Sequence, residues 1–491
     1  MSDASLTIAL PDEDETVCLA QVLAPHLGAG DVLLLEGPIG AGKTHFCRAL
    51  IRARLGHQEE VPSPTFTLVQ TYGADPEIWH SDLYRLTHPD EAWELGLDDA
   101  FREAICLVEW PDRLGKSAPP DALRLRFAPE GAGRNVTLQL GRRADLGPVL
   151  QAAFPQGAGA RSPERLLTRA GWQRAERLAL AGDASARRYF RLALGGETRI
   201  LMDNPPGIAD DIRAFVRIDA HLRGLGLSAP IIHDQDLEAG FLLLEDLGDG
   251  ILARLLAQEP AREGAFYRAA TDVLLHLQAS PPPEGLPNLS ATEWAQAAML
   301  AVSHYAGAAL GRATDPAPLQ SALAQALADH ADGPRVLILR DYHAENLLWL
   351  PEREGIARLG LLDFQLAQLG QPGYDLVSLL QDARRDVAPA TEAEMISRFA
   401  AARGQPEVEF RCAYAVLGVQ RALRILGIFT RLAMTAGKTH YLRLVPRVWR
   451  QLQRNLDQPE LAELRQACRQ TLPDPTPETL QRIEAQCGNS R

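Results

Sequence analysis

Hydrophobic and polar positions along the chain switch between the two-residue period of a strand and the 3.6-residue period of a helix. SLTIAL, at residues 5–10, alternates polar and apolar side chains, as a half-buried edge strand does. PDEDETVCLAQVLAPHL follows, with acidic residues ahead of apolar ones at helical spacing, and predicts a helix whose first turn suits the helix dipole. DVLLLEG is a continuous apolar run ending in glycine, which reads as a buried parallel strand. A helix is predicted from Gly42 to about Leu55. TFTLVQTY, EIWHSDLY, AICLVEW and ALRLRF supply further strands. Strands alternating with short helices predict an α/β sheet packed on both faces.

After RNVTLQL the periodicity decays into GRRADLGPVLQAAFPQGAGARSPE, rich in Gly, Pro, Ala and Arg. That composition predicts an N-terminal domain over 1–153, a linker at 154–163 and a second domain over 164–491. The second domain opens with strand-like RRYFRLAL, TRILMDNP and FLLLEDL, then turns helical apart from RVLILRD and ARLGLLDFQ. A small β-containing lobe ahead of a larger helical lobe is the predicted layout. No internal repeat of 20–50 residues is visible.

Composition narrows the compartment and the partners. The chain has 491 residues, too many for one ordinary core, with 46% hydrophobic and 23% charged residues. No uninterrupted apolar run approaches the roughly 18 residues of a membrane helix, so no membrane role is expected. The N-terminus is acidic where a signal peptide is basic. The six cysteines are scattered without C-x-x-C spacing, against both a disulfide framework and a zinc site. A cytoplasmic protein is the expectation. The net charge of −13 argues against a stand-alone nucleic-acid binder. Nearly all positive charge is arginine, because lysine occurs only at 43, 116 and 438.

Gly37-Pro38-Ile39-Gly40-Ala41-Gly42-Lys43-Thr44 fits G-x-x-x-x-G-K-S/T between a strand and a helix. Backbone N–H groups of such a loop wrap phosphates at a helix N-terminus. Lys43 would reach the β- and γ-phosphates, and the Thr44 hydroxyl would bind Mg²⁺. Gly437-Lys438-Thr439-His440 repeats the letters GKTH, but Leu432 stands where the first glycine belongs and no strand leads in. AICLVEW ends in Glu109 and HSDLYR carries Asp82, two carboxylates suited to Mg²⁺ or water. A guanine-reading N-K-x-D motif is absent, since every lysine follows glycine, so ATP is the expected nucleotide.

GPIGAGKTHFCRAL, VPSPTFTLVQTY, HSDLYRL, ELGLDDAF and LVEWPDRL follow one another as in the TsaE family, over about residues 5–140. This stretch resembles TsaE, the bacterial ATPase of tRNA threonylcarbamoyladenosine modification. The resemblance implies a switch-like Thr65 near the γ-phosphate, Asp82 and Glu109 serving Mg²⁺ and hydrolysis, and Trp110 bordering the site. It also implies TsaB- and TsaD-like partner subunits, with tRNA contacted only through them.

RVLILRDYHAENLLWL holds Asp341 and, five residues on, Asn346; LGLLDFQLAQLG ends a strand in Asp363. That ordered trio is the catalytic skeleton of kinase-like folds. Asp341 would take the acceptor hydroxyl proton, with Asn346 and Asp363 holding Mg²⁺. AGDASARRYFR supplies a small-residue turn, including Ser185, that could cover the phosphates. FLLLEDLGD looks like a hinge whose backbone at Glu245 to Leu247 would meet adenine. These segments resemble the aminoglycoside phosphotransferase (choline kinase-like) superfamily. With LMDNPP, YDLVSLL, RALRILGIF and YLRLVPRVW, residues 162–456 are similar to the AmgK family of anomeric amino-sugar kinases. That family phosphorylates N-acetylmuramate and N-acetylglucosamine in cell-wall recycling. The implied fold is a P-loop NTPase domain followed by a bilobal kinase-like α+β domain.

One departure concerns charge. Kinase-like folds place a lysine on the third small-lobe strand against the α- and β-phosphates, yet none occurs between Lys116 and Lys438. Arg187, Arg188, Arg191 or Arg199 would have to serve, with Arg188 the first choice beside the GDAS turn; otherwise the domain is inactive. Arg421, Arg424, Arg431, Arg443 and Arg447 on the late helical segments suit an anionic acceptor or form a solvated face. An aminoglycoside, choline or homoserine acceptor, or a non-catalytic scaffold, are the competing expectations.

Overall fold

The computed structural model describes residues 5–55, 61–64, 67–73, 75–86, 95–130, 133–154, 162–180, 187–206 and 211–487. Thr65, Ser185 and most of the expected linker, residues 155–161, lie outside the described residues.

The N-terminal sheet has seven described strands: β1 (Ser5–Leu10), β2 (Val32–Glu36), β3 (Val69–Tyr72), β4 (Ile78–Asp82), β5 (Ile105–Glu109), β6 (Leu123–Glu130) and β7 (Gly133–Gln139). Their order is β1-β7-β6-β2-β5-β4-β3. SLTIAL forms the edge, alternating exposed and buried residues as its pattern requires. β2 pairs in parallel with β5 and β6, and β4 pairs in parallel with β5. This buried parallel centre explains the unbroken apolar runs VLLLE and ICLVE. Two apolar clusters lie in this part. One joins Leu33, Leu35, Phe46 and Leu50 with Leu19; the other joins Leu34, Val108 and Leu114. The sheet is therefore packed on both faces.

A second sheet comprises β8 (Glu176–Leu180), β9 (Arg188–Leu194), β10 (Glu197–Asp203), β11 (Ile232–Asp236) and β12 (Phe241–Glu245), in the order β11-β12-β10-β9-β8. Its two faces have different neighbours. Leu192, Leu201, Phe241 and Leu243 pack on helix Glu164–Ala170, whereas Met202, Leu242 and Leu244 join the core of the helical lobe. β12 runs through Asp246–Gly250 into that lobe. There, two short hairpin-like pairs carry the chemistry-bearing loops: β13 (Val336–Ile338) with β16 (Gln368–Gly370), and β14 (Leu347–Trp349) with β15 (Leu359–Leu361). Helix Glu407–Ala436 contains an 18-residue stretch apolar enough to cross a membrane, yet 89% of that stretch is buried inside the protein. It is the central core helix of the lobe. Gly437, the glycine of the second GKTH, takes φ 60° to cap this helix, a different job from cradling phosphate.

Candidate active sites

The first site forms where parallel strands end side by side, the place where open α/β sheets bind ligands. Asp82 and Glu109 are register partners at the tips of β4 and β5, and Leu35 of β2 is opposite Glu109. The loop Gly37–Gly42 leaves β2 and enters helix Lys43–Leu55. Gly37 has φ 138°, and a Cβ there would collide with the Phe127 carbonyl, so only glycine fits. Gly42 has φ 99° and abuts the Arg134 guanidinium in the same way. Gly40 also has positive φ, and the Ala41 N–H donates to the Pro38 carbonyl at 3.3 Å.

Lys43 Nζ lies inside this loop, donating to the Gly37 and Pro38 carbonyls at 2.7 and 2.9 Å and standing 4.0 Å above the Trp110 ring. Burial lowers the Lys43 pKa against the opposing pull of Glu109 and Asp82. The Thr44 hydroxyl donates to Glu109 Oε2 at 2.9 Å, and Glu109 Oε1 meets His80 Nε2 at 3.0 Å. Asp82 accepts the Tyr84 N–H at 3.1 Å, and the Tyr84 ring leans on Trp110 at 5.0 Å between centroids. A cavity of about 570 Å³ opens beside Gly37, Pro38, Trp110 and Asp112. The structure thus brings Gly37, Lys43, Thr44, Glu109, Asp82 and Trp110 together. Hydroxyl and carboxylate oxygens are the donors hard cations take, and they fit Mg²⁺. Cys47, His80 and Glu109 also approach within 4.8 Å of one another. Burial pushes the Cys47 thiol well up, which favours its protonated form. His80, fully buried, was hidden in the sequence because HSD reads as ordinary strand polarity.

The second site sits between the lobes. Asn346 Nδ2 donates to the Asp341 carbonyl at 2.9 Å and lies 3.5 Å from Asp363 Oδ2. Gln365 Nε2 donates to Asp363 Oδ1 at 2.7 Å, and Asp363 takes φ 56°. Asn346 thus stands between the Asp341 backbone and the Asp363 carboxylate, and carboxylate and amide oxygens also suit Mg²⁺. Behind it, the buried Asp375 accepts the N–H groups of Leu339 and Arg340 at 2.6 and 2.9 Å. The Ser378 hydroxyl donates to the Arg340 carbonyl at 3.2 Å. Asp375 and Ser378 were legible only as polar interruptions in the apolar run YDLVSLL.

At the hinge, Glu245 turns its carboxylate to Arg353 and to the Ile231 N–H, away from the cleft. Leu247 packs over Gly360 of β15. The structure does not bring Arg188 to this group. Arg188 and Asp203 are register partners on the sheet face that packs on helix Glu164–Ala170, and the Arg188 Nε donates to Asp203 at 2.8 Å. Side chains alternate across a strand, so Arg187, Tyr189 and Arg191 take the opposite face, toward the helical lobe. Tyr189 packs on that lobe's core, with its hydroxyl among Arg187 and Asp363. The buried Arg187 donates to Asn204 Oδ1 at 2.5 Å. Arg191 is held by Asp246 and Asp249 after the hinge. Arg199 lies along β10 beside Glu197 at 3.6 Å.

The two halves resemble different known proteins. Residues 10–136 match the family of the threonylcarbamoyl adenosine biosynthesis protein TsaE, and residues 176–413 match the phosphotransferase enzyme family. An N-acetylmuramate/N-acetylglucosamine kinase from Caulobacter vibrioides is 38% identical over 343 residues, 60% of this chain and 92% of that protein. Its counterpart from Pseudomonas putida is 36% identical over 58% of this chain and 85% of its own length. A tRNA threonylcarbamoyladenosine biosynthesis protein TsaE from Rickettsia conorii is 46% identical over 119 residues, 24% of this chain and 68% of that protein.

Proposed function

We propose that this chain, which belongs to the TsaE family through its N-terminal half and to the N-acetylmuramate/N-acetylglucosamine kinase family through its C-terminal half, works two separate ATP sites. One hydrolyses ATP in support of threonylcarbamoyladenosine formation in tRNA. The other phosphorylates N-acetylmuramate and N-acetylglucosamine at the anomeric hydroxyl. The domains are assigned as 1–153 and 164–491, joined by 154–163, in a cytoplasmic protein.

In the first site Lys43 and the loop amides bind the β- and γ-phosphates, while Trp110 flanks the cavity. Thr44, Asp82 and Glu109 would hold Mg²⁺, which neutralises charge on the phosphates. Thr65 is assigned to the γ-phosphate. The partners are TsaB- and TsaD-like subunits; the acidic surface leaves tRNA contact to them.

In the second site Glu245 and Leu247 offer backbone groups to adenine, and Ser185 belongs to the loop over the phosphates. Asp341 accepts the proton of the anomeric hydroxyl as its oxygen attacks the γ-phosphorus; the bond to the β-bridging oxygen breaks and ADP departs. Asn346 and Asp363 would hold Mg²⁺ there. Buried polar atoms without a hydrogen-bond partner among the described residues, His343 Nδ1 near Asp341 and Asp382 Oδ2 near His343, suit a polyhydroxylated acceptor.

The observation that supports the kinase reading is Asn346 Nδ2, which donates to the Asp341 backbone carbonyl and lies 3.5 Å from the Asp363 carboxylate. It is tested by incubating the full-length protein and Asp341→Asn with ATP, Mg²⁺ and a panel of amino sugars, aminoglycosides, choline and homoserine, then locating the phosphate by NMR. An anomeric phosphate formed by wild type alone supports it; transfer to another acceptor class, or none, sinks it.

A further inference from the structure

Three arginines crowd the acceptor side of Asp341. Arg340 precedes it in the chain, and Arg421 and Arg424 project from one turn of helix Glu407–Ala436. Among the described residues, Arg424 Nη1 reaches only the Tyr374 hydroxyl, at 3.5 Å. Arg421 is 8% exposed, and its Nε has no hydrogen-bond partner among the described residues. None of the three forms an ion pair with a carboxylate among the described residues, although Arg447 on the next helix is satisfied by Asp386 at 2.9 Å. Of the neighbouring carboxylates, Asp375 accepts two backbone N–H groups, Asp341 is the assigned base, and the buried Asp382, which like Arg421 lies near His343, pairs with none of the three arginines among the described residues.

Holding these charges here is costly in two ways. Like charges packed out of water repel and lose hydration; burial and the Arg424 charge both lower the Arg340 pKa. Arg340 also sits at φ 73°, a backbone region that favours glycine and strains an arginine. A cluster kept against both costs, and in no ion pair with the carboxylates around it among the described residues, is complementary to a further anion. Its place near Asp341, the assigned acceptor of the hydroxyl proton, puts that anion on the acceptor.

We propose that Arg340 and Arg424, backed by Arg421, form the receptor for the carboxylate of a carboxylate-bearing amino sugar, so that the site reads the lactyl group of N-acetylmuramate. The guanidinium fork matches a carboxylate bidentately. This rests on the sugar-kinase reading above and adds which residues distinguish the acid from the neutral sugar.

Steady-state kinetics of the full-length protein with N-acetylmuramate and N-acetylglucosamine test it. Arg424→Ala lowers the ratio of kcat/KM for the acid over the neutral sugar by about 30-fold or more, the scale of charge-assisted hydrogen bonds. Arg340→Gly, whose residue suits φ 73°, lowers the same ratio without lowering the melting temperature. An unchanged ratio in both variants, whether or not total activity or the KM for ATP changes, overturns the receptor. A wild-type protein that phosphorylates neither sugar overturns the sugar-kinase reading itself, and the receptor with it.

Discussion

The carboxylate of Asp375, fully buried in helix Tyr374–Leu380, accepts the backbone N–H of Arg340 at 2.9 Å. With the Leu339 N–H at 2.6 Å and the Ser378 hydroxyl on the Arg340 carbonyl, it clamps the peptide units just ahead of Asp341. The clamp holds Arg340 at its positive φ and so aims the assigned base. Asp375 touches no reacting atom in this arrangement; it is a positioning residue.

Asp375→Asn keeps the shape but leaves one oxygen to serve two N–H donors. Loosened aim of a base costs on the order of 10²-fold in rate. We expect kcat for sugar phosphorylation to fall by about 10- to 100-fold while the KM for ATP stays near wild type. Equal kcat in mutant and wild type would show that the loop is held without the carboxylate.

The same residue gives a pH signature. Burial raises the Asp375 carboxyl to about 7, with the Leu339 and Arg340 N–H groups pulling the other way; an exposed aspartate titrates near about 3.9. Between those values the folded chain holds a proton that the unfolded chain has released, so stability falls as pH rises through the window and levels off above it. Asparagine does not titrate. The melting temperature of the kinase transition in wild type, minus that of Asp375→Asn, is expected to drop between pH about 5 and about 8. A difference independent of pH would mean that Asp375 is ionised throughout.

Phe46, on the helix that Lys43 opens, and Tyr342, next to Asp341, belong to separately packed cores. Lys43→Ala removes the only loop cation that bonds the Gly37 and Pro38 carbonyls among the described residues. It is expected to abolish ATP hydrolysis at the first site and leave sugar phosphorylation at its wild-type rate, measured on the full-length protein by phosphate release and by sugar phosphate. Loss of both, with the fold retained by circular dichroism, would refute independent sites.

Much of this arrangement is legible in sequence because it is local. The phosphate loop, the strand tips at Asp82 and Glu109, and the spacing of Asp341, Asn346 and Asp363 are fixed by elements a few residues long, and the structure assembles each. What sequence hides is tertiary. His80 and Asp375 look like ordinary polar positions until the fold buries them against Glu109 and the Arg340 N–H. Of the five late arginines, Arg431 and Arg443 are exposed and Arg447 pairs with Asp386, whereas Arg340, unremarked beside Asp341, joins Arg421 and Arg424. The small-lobe arginine turns on parity: a shift of one residue moves a strand side chain to the other face. Four consecutive letters, Arg187 to Phe190, do not say which face meets the cleft. Packing of Leu192 and Phe190 on helix Glu164–Ala170 does.

That parity decides the last prediction. An ATP site without the third-strand lysine needs another cation against its α- and β-phosphates. Arg188 has the right neighbours in sequence, but it faces helix Glu164–Ala170 and is committed to Asp203. Arg187 precedes it on the cleft face, beside Tyr189 and near Asp363, and is positioned by Asn204. Arg191 shares the face but is held by Asp246 and Asp249 at the hinge. Arg187 is therefore the cation we assign to the phosphates. Arg187→Ala is expected to raise the KM for ATP in sugar phosphorylation by about tenfold or more, the scale of one lost charge-assisted contact. Arg187→Lys should recover only part, because an ammonium lacks the bidentate fork. Arg188→Ala should leave that KM near wild type and lower the melting temperature instead, since it removes the Arg188 ion pair from the buried Asp203. The reverse pattern, with ATP affinity lost at Arg188 and kept at Arg187, would return the phosphates to the residue that sequence alone favours.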